Sequence, residues 1–382
     1  MNSTATSRFH DRVGFRSAIT MVLVALSLPA VSLPSVIAQE ARKSVETPPL
    51  LGALIDPTDA TPARLKELRS NGTNTVVFTL AQTNGKAKEA IRTATANAKQ
   101  ADLAYAYWIE VARCPELADE YPEWMASLQT HDEWRRFFPD IPQPKASEVA
   151  KTYPWVPILS REPFKAQRER VESLLANLPP PKLIFLNDLQ GAPSACGCGN
   201  SLCRWTSDYG KRRTTVPLDD DAAALFVESI ERASPNAEVI PVWTTECEEH
   251  DGSADGLCAG VGCFNGICWK AYTRQLMPLA QTSKRIGVLA LYKEFGRDIP
   301  HYGRDEASWV EFAIKTFQTM PPLRDGTSIP AARIVAVVQG WDVTAEEIRA
   351  QQTAATNAGA NGHVIAYDKI DQSWSPKIVP WD

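Results

Sequence analysis

The sequence has no surplus of positive charge: 40 Lys and Arg stand against 45 Asp and Glu, for a net charge of −5. With no basic stripe to follow a phosphate backbone, nucleic acid is not an expected partner. Nor is there an apolar run of the roughly 20 residues that a membrane crossing takes. The best candidate, Ala18–Leu28, is interrupted by Thr20 and Ser27 and followed by Pro29 and Pro34. No cysteine precedes Cys114, so a lipid anchor on a new N-terminal cysteine is excluded. The C-x-x-C-H pattern of haem attachment is missing, and the C-x-C-x₄-C spacing of Cys196, Cys198 and Cys203 departs from the usual zinc pattern. No cofactor and no metal is implied. Apart from a polar lead at Gln39–Pro49, low-complexity tracts are absent as well.

What is present begins with an export signal. Arg8, Arg12 and Arg16 form a basic start, Ala18–Leu28 an apolar core, and Val36-Ile37-Ala38 a small-residue cleavage site. The expectation is a signal peptide at residues 1–38, a flexible lead at 39–49 and one domain at 50–382. The product would be secreted or periplasmic, with no membrane association after cleavage. Its oligomeric state cannot be read from the sequence.

Within that domain a short apolar run followed by an amphipathic helical pattern recurs eight times. The runs are Leu51–Ile55, Thr75–Leu80, Leu103–Val111, Lys182–Leu186, Ala237–Trp243, Ile286–Tyr292, Ala332–Val338 and Gly362–Tyr367. This pattern predicts an α/β fold, a (β/α)8 TIM barrel with long cysteine-containing loops, somewhat larger than the roughly 250 residues typical of that fold. Helix signals support the register. Thr61-Pro62 reads as an N-cap with proline at N1, Gly72 as a C-terminal stop, and Ser308/Glu311 and Thr344/Glu347 as capping boxes. Asp219, Asp220 and Asp221 fit the positive end of a helix dipole rather than a metal site.

All eight cysteines fall in loops expected on one face: Cys114 after strand three, Cys196, Cys198 and Cys203 after strand four, and Cys247, Cys258, Cys263 and Cys268 after strand five. In an exported chain an even count predicts disulfides, because the compartment is oxidising and long loops gain most from closure. Eight cysteines allow about a hundred pairings, so the connectivity stays open.

In such a barrel chemistry sits at the C-terminal strand tips. Carboxylates stand there in number: Asp56 after strand one, Glu110 at three, Asp188 at four, Glu246 at five, Glu294 at six, Asp342 at seven and Asp368 at eight. Asp188 and Glu246, on neighbouring strands, make the pair that cleavage of a glycosidic bond requires, with carboxyls about 5–5.5 Å apart for retention or about 6.5–9.5 Å for inversion. Burial of Glu246 near Trp243 would raise its pKa, as a general acid needs. Asn187, Lys293 and the aromatic residues Trp108, Trp243, Tyr292 and Trp341 join Asp56, Glu110, Glu294 and Asp368 as substrate-binding candidates, since sugars offer apolar faces to rings and hydroxyls to polar groups.

With its signal, its tip carboxylates and Pro122-Glu123-Trp124 in the strand-three loop, the chain resembles the glycoside hydrolase-like (β/α)8 barrels of secreted bacterial proteins. Asn187-Asp188 looks like the Asn-Glu pair that ends strand four in one large glycosidase clan, although Asp replaces Glu here and strand seven ends Val338-Gln339-Gly340-Trp341-Asp342 without the clan's Glu. The order of acids is similar to the α-amylase superfamily. There the resemblance implies a nucleophile at Asp188, an acid/base at Glu246 and a supporting carboxylate at Asp342, while Leu186 stands where that family has Arg. The resulting expectation is an exported hydrolase with a carbohydrate substrate. A non-catalytic glycan-binding barrel, and a metal or redox protein built on the cysteines, are the alternatives.

Overall fold

The computed structural model of the protein describes residues 48–81, 85–125, 140, 142, 145, 148–151, 154, 156–158, 161–189, 222–243, 263–264, 267–268, 278–294, 305–318, 329–368 and 377–380. The expected signal peptide and most of the lead lie outside them, and a compact unit runs from Pro48 to Asp382.

Eight strands form a closed barrel: β1 (Leu50–Ile55), β2 (Thr75–Thr79), β3 (Ala104–Glu110), β4 (Leu183–Asn187), β5 (Glu238–Trp243), β6 (Ile286–Ala290), β7 (Ile334–Gln339) and β8 (Gly362–Ala366). Each pairs in parallel with the next in chain order, and β8 returns to β1 through Leu50↔Gly362 to Leu54↔Ala366. Helices α1 (Pro62–Ser70), α2 (Gly85–Gln100), α3 (Arg161–Leu175), α4 (Ala222–Ala233), α5 (Glu306–Gln318) and α6 (Ala345–Asn357) lie between strands. The fold is therefore the (β/α)8 barrel expected. Its strands read as near-continuous apolar runs because they are covered on both faces, and every residue of β6 and β7 is buried. None of the described helices is long and apolar enough to cross a membrane.

Local chemistry explains the boundaries. Thr61 accepts a hydrogen bond from the Arg64 N–H at the start of α1, and Gly72 follows its end at φ +91°. Thr344 and Glu347 form the expected capping box on α6. The box read at Ser308 and Glu311 is corrected: α5 begins at Glu306, so Asp305 stands at the cap and accepts from both the N–H (2.8 Å) and the hydroxyl (2.7 Å) of Ser308. Aspartate caps as well as serine, and the helix takes the earlier start. Glu311 pairs instead with Lys315 one turn on. Strand β6 also stops short of its expected end. Tyr292–Glu294 turns helically, and the Gln339 side-chain oxygen accepts the N–H groups of Lys293 (3.1 Å) and Glu294 (3.0 Å).

Two further antiparallel pairs were not anticipated. Glu148–Lys151, in the loop after β3, pairs with Lys377–Pro380 near the C-terminus, and Lys377 reaches Asp119 on the short helix Pro115–Glu120. In the loop after β5, Cys263–Phe264 pairs with Ile267–Cys268.

Candidate active site

The tips of β3 and β4 meet in register at Glu110↔Asn187, and the ladder continues past them through Val111 N–H to Asn187 O (2.9 Å) and Ala112 N–H to Asp188 O (3.2 Å). That continuation brings three polar side chains together under cover: Glu110 is 6% exposed, Asn187 and Asp188 4% each. Trp108 Nε1 donates to Glu110 Oε1 at 2.6 Å. The Asn187 amide donates to Glu110 Oε2 at 2.8 Å and reaches Asp188 Oδ1 at 3.3 Å. Arg113 stands 3.6 Å from Asp188 Oδ2 as an ion pair. A guanidinium and an amide thus face the two oxygens of this buried carboxylate. Beneath, Arg170 of α3 donates to the carbonyls of Glu110 and Val111 and through Nε to Gln167 (2.9 Å), fixing the backbone that carries Glu110. Among the described residues Asn187 Oδ1 has no hydrogen-bond partner, although it is buried.

Asp188 also occupies the left-handed region, at φ +58°, as does Asp342 at +54°. Asp102 and Asn177 share that conformation, but they follow the last turns of α2 and α3, where a left-handed residue closes a helix. At a strand tip no helix end requires it. Held left-handed backbone at such a position belongs with residues whose side chain must be aimed.

A second group ties the β6 and β7 tips together. Tyr292 donates to Glu347 Oε1 at 2.5 Å, Lys293 Nζ lies 3.0 Å from the same oxygen, and the Thr344 N–H donates to Glu347 Oε2 at 2.5 Å. These bonds, the Thr344 backbone first, pull the Glu347 carboxyl down to about 2. Burial, then the bond to Glu347, pushes the Tyr292 hydroxyl up. Lys293 also donates to the Asp342 carbonyl at 2.9 Å, so it neutralises Glu347 and pins the next loop. Gln339, 1% exposed, is the hub beneath: its amide donates to Trp341 O (3.1 Å), and its backbone exchanges two bonds with Gln351 of α6.

The third group joins β1 and β8. The Asp56 N–H donates to Asp368 Oδ2 at 2.5 Å, while Asp56 Oδ1 accepts from the Thr58 N–H and hydroxyl. Burial raises the Asp368 pKa, the Asp56 N–H opposes that rise, and the charges of Asp59 and Asp56 add to it.

The expected site residues thus divide. Glu110, Asn187 and Asp188 come together; Tyr292 and Lys293 meet at Glu347, and Lys293 reaches the Asp342 carbonyl; Asp56 meets Asp368. Glu294 is half-buried and Trp341 packs partly against the core, while the Asp342 side chain is exposed. Trp108 and Trp243 are 1% and 0% exposed, and Trp108 stacks on Phe185 (5.7 Å between centroids), so both rings serve the core rather than an open sugar face. Glu246 lies outside the described residues, as do Cys196, Cys198, Cys203, Cys247 and Cys258. The disulfide expected at Cys114 is corrected: this thiol is free and buried, its sulfur 3.5 Å from Glu116 Oε2, and burial pushes its pKa up. Cys114 stands at the N-cap of the short helix Pro115–Glu120, and its N–H donates to the Pro154 carbonyl at 2.9 Å. Among the described residues no group of three or more His, Cys, Asp or Glu is arranged to hold a metal. Arg113, Arg170 and Gln339 escaped the sequence reading as site residues, and Glu347 was read only as half of a capping box. Only Arg113, three residues beyond a tip acid, offered a signal.

The sequence matches no protein-family model and no curated protein. Solved structures with similar architecture include a β-glucosidase in its apo form, at 14% identity over 80% of this chain and 76% of that chain, TM-score 0.40. Others are an α-L-fucosidase isoenzyme 2 of Paenibacillus thiaminolyticus, at 12% identity over 83% of this chain and 46% of that chain, TM-score 0.43, and a D-psicose 3-epimerase, at 10% identity over 82% and 83%, TM-score 0.34. Likeness this distant carries no inference about chemistry.

Proposed function

We propose that the protein is an exported carbohydrate-active hydrolase, in which Asp188 acts as nucleophile or base on a glycosidic bond, Glu246 as general acid, and Asp342 as a supporting carboxylate. The observation that carries the reading is Asp188: a buried carboxylate at the tip of a barrel strand, ion-paired to Arg113, in left-handed backbone. Nucleophile and base alike require a charged carboxylate, and Arg113 supplies the opposite charge beside it. The unpartnered Asn187 Oδ1 beside it would take a hydrogen from a sugar hydroxyl.

One observation favours a second reading, a glycan-binding barrel without turnover. Both oxygens of Glu110 are engaged by Trp108 and Asn187, the pattern of a network that holds structure. The test begins with a screen of glycans and aryl glycosides on the unaltered protein, followed by Asp188→Asn and Glu246→Gln. Each variant should lower turnover by about 10²- to 10⁴-fold, with the thermal midpoint nearly unchanged for Glu246→Gln. Binding of a glycan with no cleavage, or cleavage by both variants at the original rate, ends the hydrolase reading and leaves the binding one.

A further inference from the structure

We propose that Cys263 and Cys268 form a disulfide that staples a hairpin in the loop after β5, and that at least one cysteine besides Cys114 is left outside any intramolecular pair. The two residues are direct partners in an antiparallel ladder whose other pair is Phe264↔Ile267. Two residues, Asn265 and Gly266, join the strands, and Asn-Gly is the sequence that favours a two-residue hairpin turn. In such a hairpin the pair flanking the turn, Phe264 and Ile267, exchanges the hydrogen bonds. Cys263 and Cys268 then form the non-hydrogen-bonded pair, whose α-carbons lie about 4.5 Å apart. That spacing falls within the about 4.4–6.8 Å that a disulfide spans. A C-x₄-C segment with no defined partner could pair in many ways. Register across a hairpin selects one.

Parity then acts on the rest. Of eight cysteines, Cys114 is buried and free, so seven remain, an odd number. With Cys263 and Cys268 joined, the five others are Cys196, Cys198, Cys203, Cys247 and Cys258, and at least one of them must stay a thiol or link to another molecule. Formation of the staple needs a disulfide oxidant. One cysteine thiolate attacks the oxidant's disulfide and releases one of its sulfurs as thiol; the second thiolate attacks the mixed disulfide and releases the other. Two protein thiols are oxidised, and the oxidant's disulfide is reduced to two thiols.

The full chain, equilibrated in a buffer of oxidised and reduced glutathione, is alkylated in denaturant without reductant, digested and analysed by mass spectrometry. The peptide spanning Cys263 and Cys268 should be two hydrogens lighter than its reduced form and carry no adduct. Cys114 should be alkylated together with at least one other cysteine, unless that one carries glutathione or a second chain. In Cys263→Ser the newly alkylated residue should be Cys268. Alkylation of both residues in the unaltered chain, a bond from either to a different cysteine, or a new thiol elsewhere in Cys263→Ser overturns the pairing. The experiment reads no activity, so its outcome is independent of the proposed hydrolysis.

Discussion

A single side-chain amide, that of Asn187, serves two buried carboxylates at once, and this sets what each can do. Glu110 receives donors on both oxygens and has little capacity left for a substrate, whereas Asp188 receives a longer contact from Asn187 and its ion pair from Arg113. Glu110 is therefore a positioning group: it holds Asn187, which turns toward Asp188. Replacing it by glutamine leaves one acceptor for two donors, because the new amide nitrogen must face either Trp108 or Asn187. A buried donor without an acceptor costs about 1–3 kcal/mol. Urea denaturation of Glu110→Gln at neutral pH should show a loss of that size. A change below about 0.5 kcal/mol, the range of neutral surface substitutions, would mean that the network does not bear on the fold.

At the scale of elements, the β6 tip, the β7 tip and the start of α6 are joined through Glu347, which both closes the capping box and accepts from Tyr292 and Lys293. Its carboxyl is held near 2 in the folded chain against an ordinary 4.5. A depressed carboxylate pKa contributes stability that is complete above the unfolded value and lost as pH falls through the folded one, so the loss spans pH 4.5 down to about 2. Glu347→Gln should weaken the fold at pH 7 and flatten the pH dependence within that window, as followed by thermal midpoints. An unchanged slope would sink this assignment. The capping box itself was legible, since Thr344 and Glu347 stand at the required spacing. The bonds from Tyr292 and Lys293 were not, because they join residues more than fifty positions apart and no local pattern encodes them. Arg170 and Gln339 were hidden likewise, since Arg170 reaches carbonyls 59 and 60 positions away and Gln339 accepts from residues 45 and 46 positions away. Ser308 misled for the opposite reason: an equally good cap, Asp305, lies three residues before it.

For the whole molecule, the order of strands was legible because each is a short apolar run bounded by helix signals, and the tip position of Glu110 and Asp188 followed from that order. The pairing of Glu148–Lys151 with Lys377–Pro380 was not, since two four-residue segments more than two hundred positions apart carry no shared signal. What makes the barrel one unit is its seam, where the first strand meets the last. Gly362 opens β8 at φ +104°, and a β-carbon there would lie 2.0 Å from the Leu50 carbonyl oxygen and 2.6 Å from the Leu50 nitrogen, backbone atoms of β1 that cannot move without parting the strands. Gly72 supplies the control: it too is left-handed, at φ +91°, but nothing lies within 4 Å of the position its β-carbon would take. Gly72→Ala should therefore cost only the conformational penalty, about 1–2 kcal/mol. Gly362→Ala adds a backbone clash at the seam and should cost about 3 kcal/mol or more, in the range reached only by strain or loss of buried structure. Denaturant titration of the two variants side by side decides the point: equal losses would mean that the closure between β8 and β1 tolerates a side chain, and that the seam does not control the cooperativity of the barrel.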